Sequence, residues 1–242
     1  MIGISRDDDV VTIELQRPER RNALNLQLCA ALQQALLDAV ATDARAIVLT
    51  GQGTVFCAGA DLNEVYSEDF SGGLLAMLHT IDSIPVPVIA AVNGPAFGAG
   101  TQLAIASDLR VVAPEASFAI PAAKLGISVD RWTVHRLSSL IGSGPARSML
   151  IGVEPIAAEE AFTRGLANKI GTPADAKQWA KTIAGLAPLT LQYLKLAFND
   201  DGSTQPESDE LRTALHRAWR SDDAQEGRTA REEKRAPRFT GR

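Results

Sequence analysis

An α/β fold is what this sequence predicts, and three observations point to it. Short β-branched runs alternate with stretches of helical periodicity, the β runs end in glycine-bearing loops, and beyond Thr133 the β signal thins while helices follow one another. Residues 10–15 read as the first strand, residues 26–40 as a helix with apolar side chains at helical spacing, and residues 46–50 as a second strand running into the loop Gly51-Gln52-Gly53. A second cycle follows: a helix over 74–84, a strand over 86–92, the turn Asn93-Gly94-Pro95 and a helix of small residues opening near Gly98. Another strand over 109–112 stops at Pro114. Helices are predicted at 134–141, 145–151, 157–164, 174–186 and 189–198. A break is expected at Asp200-Asp201-Gly202, then a helix over 207–219 with Leu211, Leu215 and Trp219 on one face, then a charged terminal segment. Neither solenoid-length repeats nor low-complexity tracts interrupt this order.

Composition excludes several classes. At 242 residues and 45% hydrophobic content the chain can bury a sizeable core. Its net charge of -5, from 24 Lys and Arg against 29 Asp and Glu, offers no general attraction to phosphate backbones, so RNA or DNA is a remote partner. Asp7, Asp8 and Asp9 follow Met1 closely, with no basic flank, apolar run or amphipathic presequence, which is the expectation for a cytoplasmic protein. Apolar runs are too short to span a bilayer. Cys29 and Cys57 read as reduced thiols in or near a core rather than a disulfide framework, and His79, His135 and His216 have no metal-ligand spacing, so no metal or other cofactor is assigned.

Two loops carry the chemistry. In Phe56-Cys57-Ala58-Gly59-Ala60-Asp61-Leu62, small side chains allow a ligand to approach main-chain N–H donors. In Asn93-Gly94-Pro95-Ala96-Phe97-Gly98-Ala99-Gly100, Ala99 falls in the first turn of a helix, where free N–H groups favour negative charge on an oxygen. A single glycine cluster is usually just a tight turn; two together, with Arg17-Pro18-Glu19-Arg20-Arg21-Asn22-Ala23-Leu24 upstream, are more specific. They resemble the crotonase (enoyl-CoA hydratase/isomerase) superfamily. The likeness runs nearly end to end, through Asp108-Leu109-Arg110-Val111-Val112-Ala113, Ala158-Glu159-Glu160-Ala161 with Gly165-Leu166-Ala167, and the tail from Glu226-Gly227 to Lys234-Arg235.

The resemblance implies a spiral core of repeated ββα units over residues 1–190, a helical C-terminal region over 191–242 that builds homotrimers or dimers of trimers, and a fatty acyl-CoA or enoyl-CoA thioester as ligand. It places the paired oxyanion donors on the N–H groups of Ala60 and Ala99. Ala58, Ala60 and Leu62 fall beside the adenine, Arg20 near the pantetheine or phosphates, and Lys234 where family members reach a neighbouring subunit's CoA phosphate. Asn63 stands where a Lys often helps and Arg231 where an aromatic often stacks.

Hydratases of the superfamily use two Glu to activate water and deliver a proton. Here those positions read Gln102 and Ala122. An amide can orient water without titrating usefully near neutral pH, and a methyl group supplies nothing. A placed general acid or base is worth about 10²- to 10⁴-fold, so weak or no hydratase activity is expected. In this the chain resembles non-canonical mycobacterial paralogues of the superfamily.

Asp130 stands where some members hold a catalytic Asp, which as nucleophile or base supports isomerase or thioester hydrolase chemistry; its plainer reading is the N-cap of the following helix. Trp132 is either an acyl-pocket wall, with Gln102 and Ala122, or ordinary core. Two readings stay open: an acyl-CoA or enoyl-CoA enzyme of fatty acid metabolism, and a non-enzymatic acyl-CoA carrier that hands thioesters to a lipid-synthesis partner.

Overall fold

The computed structural model describes residues 1–200 and 209–240. Its backbone packs as two units interleaved along the chain: Met1–Phe118 with Ile156–Asp201, and Ala119–Pro155 with Gly202–Arg242. Residue 190, where the spiral core was expected to end, lies inside a helix, Pro188–Asn199.

The first unit is built on a six-stranded sheet. Strands β1 (Ile2–Asp7), β2 (Val10–Leu15), β3 (Ala46–Gly51) and β4 (Val88–Val92) are followed in chain order by β5 (Ala96–Phe97), β6 (Leu109–Val112), β7 (Ser117–Ala119), β8 (Ile156–Ala157) and β9 (Lys169–Ile170). The main sheet runs β1-β2-β3-β4-β6-β9, and β5-β7-β8 form a small second sheet. Only β1 is antiparallel to its neighbour in the main sheet, joined to β2 through Asp8, which takes a left-handed φ of 52°. Every residue of β3 and β4 is buried, as befits parallel strands covered on both faces.

The crossovers are helical. α1 (Leu26–Ala41), capped by the Asn25 side chain, turns Leu28, Cys29, Leu32 and Leu36 inward, and α2 (Glu68–Ser83) packs against it. α2 begins six residues before the predicted start at 74 because Ser67 caps it and Gly72-Gly73 sit inside the helix instead of ending a loop. A side-chain carbon at Gly73 would lie 2.4 Å from Leu26 Cδ1, the far end of a flexible side chain that would have to move aside.

α3 (Ala99–Ala106) is buried along its whole length. The remaining helices are α4 (Arg131–Ile141), α5 (Ser143–Leu150), α6 (Ala158–Thr163), α7 (Pro173–Ala184), α8 (Pro188–Asn199), α9 (Asp209–Trp219) and α10 (Asp222–Glu232). α7 opens with a Thr172/Asp175 capping box and lays Ala176, Ala180, Ile183 and Ala184 on the sheet face formed by Val10, Ala46, Val48, Ile89, Ala91 and Val111.

The predicted order of elements stands, with boundaries shifted by a few residues. Strands β1, β5, β7, β8 and β9 were not foreseen; three of them are only two residues long and β7 is three, below any periodicity signal. The charged terminal segment proves to contain α10. The break expected at Asp200-Asp201-Gly202 and the predicted helix start at 207 fall largely outside the described residues, and the Leu211 side chain is likewise not described. Among the described residues no helix is long and apolar enough to cross a membrane.

Candidate functional site

The segment after β3 and the segment after β4 are stitched together by main-chain hydrogen bonds. Cys57 N–H donates to the Pro95 carbonyl at 3.2 Å, and Phe97 N–H donates back to the Cys57 carbonyl at 2.9 Å, forming a parallel bridge between Cys57 and Ala96. A second parallel bridge joins Leu24 and Ala60. Leu24 N–H donates to the Gly59 carbonyl at 2.8 Å, and Asp61 N–H donates to the Leu24 carbonyl at 2.6 Å. In such a pattern the neighbours of Ala60 face Leu24, so the Ala60 N–H points to the other side.

Glycine makes the close approach possible. Gly59 has φ 108°, and a side-chain carbon there would lie 2.9 Å from the Phe97 carbonyl oxygen and 3.7 Å from the Ala99 nitrogen. Gly98 has φ 52°, and a carbon there would come within 3.9 Å of Gly59 Cα. Gly100 rests on the Cys57 carbonyl, where added carbon would meet oxygen at 2.2 Å. The donors of residues 60 and 99 are thereby held on adjoining loops. Ala99 is the first residue of α3, whose opening N–H groups have no partner within the helix. Neither the Ala60 nor the Ala99 N–H donates a hydrogen bond to any described residue. The Ala58 N–H, in contrast, is spent on the Arg21 carbonyl at 3.0 Å.

Three polar side chains brace this arrangement. Asn22, fully buried, accepts from Arg17 N–H at 3.0 Å and donates to the Gln52 and Val55 carbonyls at 3.0 and 2.8 Å. Arg17 Nη1 donates to the Ala23 carbonyl at 3.0 Å, and its Nη2 meets Asp61 Oδ2 at 2.8 Å. Burial raises the Asp61 carboxyl, but the Asn63 N–H and the Arg17 guanidinium outweigh it and hold the group below the usual carboxylate range. The sequence motifs contain Arg17, Asn22 and Asp61, yet nothing in their spacing announces that they converge.

The enoyl-CoA hydratase/isomerase family model matches residues 5–242. The chain belongs to the enoyl-CoA hydratase/isomerase family. It is 52% identical over 242 residues to the protein named "Probable enoyl-CoA hydratase echA6" of Mycobacterium bovis, covering all of both chains. It is 50% identical over 246 residues to the protein of the same name in Mycobacterium leprae, again covering all of both. A solved methylmalonyl-CoA decarboxylase superposes with TM-score 0.91 at 25% identity, over 100% of this chain and 98% of that one. The crotonase fold expected from the motifs is the fold of this chain.

Against that family frame the expected site residues fall into two groups. In the first unit, Arg20 is exposed on the 3-10 turn Pro18–Arg20, Ala58 and Ala60 are half-buried, and Leu62 is exposed. Gln102 lies one turn beyond Ala99 on α3, and it is buried. Asn63 is exposed and donates its N–H to Asp61 Oδ1 at 3.1 Å.

In the second unit, Ala122 opens the 3-10 turn Ala122–Leu125 and is half-buried. Asp130 is the N-cap of α4: Oδ1 accepts from Thr133 N–H at 2.9 Å and Oδ2 from Thr133 Oγ1 at 2.8 Å. Trp132, in the first turn of α4, is buried. Arg231 lies in the last turn of α10, and Lys234 just beyond the helix is exposed, with φ 55°. Glu226 of the same helix accepts Arg235 Nη1 and Nη2 at 2.5 and 2.9 Å.

Proposed function

We propose that this family member binds a fatty acyl-CoA or enoyl-CoA thioester and hydrates it weakly or not at all. One observation carries the reading. Two uncommitted main-chain N–H groups, on Ala60 and Ala99, adjoin through Gly59 and Gly98, while the side chain one helical turn along from Ala99 is the amide of Gln102. Donors of this kind stabilise the oxygen of a thioester as it takes on enolate character. Hydration also requires a base to take a proton from water and an acid to deliver one to the α carbon. Gln102 does neither, and Ala122 has no polar atom.

On this reading Arg20, Ala58, Ala60, Leu62 and Lys234 contact the CoA moiety. The protein then acts as a carrier that presents thioesters to an enzyme of lipid synthesis. Copies associate as trimers or dimers of trimers, for which α8 gives support. Its outward side is apolar, with Leu189, Tyr193 and Leu196 exposed by 78%, 67% and 55%. A contiguous exposed apolar face of this kind is commonly one that a partner surface covers.

The second reading is isomerase or thioester hydrolase chemistry by Asp130. Both carboxylate oxygens are engaged by Thr133 at the α4 cap, which favours the carrier. Crotonyl-CoA hydration by the wild type and by Gln102→Glu/Ala122→Glu tests the main reading. The wild type is expected at or near background, and the double variant at least about 10²-fold above it. Ordinary enzymatic turnover by the wild type refutes it. If any turnover exists, its loss in Asp130→Asn with affinity retained assigns it to that carboxylate.

A further inference from the structure

The face of the main sheet that carries α7 changes character along its strands. On β2, Val10, Thr12 and Glu14 share that face, because side chains two apart point the same way, and Gln16 just beyond the strand continues the row. On β3 the same face carries Ala46, Val48 and then Thr50, which stands directly opposite Glu14. Ala176 and Ala180 of α7 pack on the apolar part, but the helix opens at Pro173, and the polar ends of the two strands face a cavity of about 520 Å³. Thr12, Glu14, Gln16 and Thr50 line it from the sheet, and Pro173 and Lys177, on one side of α7, line it from the helix. All six belong to the first unit.

The sheet side of this cavity presents acceptors. Thr50 Oγ1 spends its hydrogen on the Ala91 carbonyl at 2.9 Å, and Gln16 Nε2 donates to Glu14 Oε2 at 2.8 Å. Thr50 is left with lone pairs, Gln16 with its amide oxygen, and Glu14 with its charge and its second oxygen. Thr12 is 8% exposed, and its hydroxyl makes no hydrogen bond with any described residue. A hydroxyl so buried normally meets a partner, and an occupant of the cavity can supply one. The helix side presents a cation. Lys177 forms no ion pair with any described residue, although Glu14 lines the same cavity, whereas Lys181 one turn on pairs with Asp7 at 2.7 Å.

We propose that this cavity binds a small zwitterion, an amino-carboxylate whose ammonium rests on Glu14, Gln16 and Thr50 and whose carboxylate meets Lys177. An ammonium carries only donors and a carboxylate only acceptors, so the two ends of such a ligand answer the sheet side and the helix side in turn. The opening turn of α7 adds positive potential on the side where the ligand's anion lies. Thr12, able both to donate and to accept, serves either end. A plain amine leaves Lys177 unanswered, and a plain acid leaves Glu14 so. Nothing in this site depends on the thioester reading, since neither Ala60 nor Ala99 lines the cavity.

The test is titration of the full-length, isotope-labelled protein, followed by NMR, with unbranched amino-carboxylates running from glycine to the six-carbon aminohexanoate. The spacing of the two charges is thereby varied with the chemistry held constant. At least one member is expected to saturate the protein by about 10 mM, shifting the amides of Thr12, Glu14 and Thr50. Butylamine and butyrate, each with half of the recognition, are expected to bind at least about tenfold more weakly than that member. Glu14→Gln and Lys177→Met should each weaken the best ligand by about the same factor, while Lys181→Met, which removes the same charge from the next turn, should leave its affinity unchanged. Lys177 is exposed, so Lys177→Met decides the matter even if Glu14→Gln fails to fold. No saturation by any member, equal binding of butylamine or butyrate, or unaltered affinity in Lys177→Met overturns the site.

Discussion

Cys57 lies in the loop that carries the Ala60 N–H, with its sulfur 3.8 Å from the Gly59 carbonyl oxygen. Burial pushes its thiol up to about 12, and Cys29, also buried, is pushed up to about 12 for the same reason. Thiols so displaced stay protonated at neutral pH and make poor nucleophiles. Neither cysteine should react with Ellman's reagent in the native protein, and both should react once it is unfolded; rapid native labelling of Cys57 would contradict the burial described.

Asp61 is shifted the other way. A carboxyl held below its unfolded value of about 3.9 contributes stability above that pH, and the contribution is lost as pH falls through the lower folded value. The Arg17–Asp61 pair should therefore persist from neutral pH to about pH 4, with the Asp61 carboxyl carbon titrating below that point by NMR. Removing one partner by Asp61→Ala should cost about 1.5–3 kcal/mol in chemical denaturation, since a charge-assisted hydrogen bond is lost and Arg17 is left without its anion. At Asp130, alanine should cost about 1 kcal/mol through loss of the α4 cap.

At the scale of elements, the motifs that made the family legible divide by task. Arg110, within the run Asp108 to Ala113, is fully buried and donates to the Leu166 and Ser107 carbonyls at 2.5 and 2.7 Å. It ties β6 to the chain leading into β9 and is far more a strut than a ligand. Asp108, half-buried, and Lys195, buried, form an ion pair at 2.8 Å, with Lys195 Nζ also donating to the Val86 carbonyl at 3.1 Å and Asp108 accepting from Val88 N–H at 2.8 Å. Breaking it with Lys195→Met should destabilise the protein by about 1.5–3 kcal/mol, because a charge-assisted hydrogen bond to a half-buried carboxylate is lost. Thermal or urea unfolding measures this, and a neutral outcome would mean that the region relaxes to admit water.

The glycine-bearing loops and the helix opening at residue 99 were legible because their determinants are local. The start of α2 was not legible because Gly72-Gly73 are weak helix formers, and the helix is carried through them by the Ser67 cap and by packing on α1. The bracing of the loops by Arg17, Asn22 and Asp61 is likewise a matter of tertiary convergence, which one-dimensional spacing does not encode.

For the molecule as a whole, alternation of strand and helix announced an α/β chain, but not its interleaving. Residues 119–155 pack with the C-terminal helices, and residues 156–201 return to the unit that holds the sheet. Such a path depends on contacts between distant segments and leaves no trace in composition or periodicity. The outer face of α8 is a feature of the same scale. If that face is covered in an assembly of copies, Leu189→Asp with Tyr193→Asp should lower the molar mass measured by light scattering without lowering helix content. A wild type that is monomeric at every concentration would remove the assembly reading.

The two donors at residues 60 and 99 belong to the main chain, and that fact governs how the protein can change. Exchange among ordinary side chains cannot delete a peptide N–H, so mutational drift can strip away acids and bases while both donors persist. On the function proposed above, retention of a ligand after loss of its chemistry is the path of least resistance for this architecture. Proline is the exception. Ala99 occupies the first helical position, where proline is well tolerated, so Ala99→Pro should keep α3 and erase one donor outright. A single codon is enough to ask whether what remains is still a receptor.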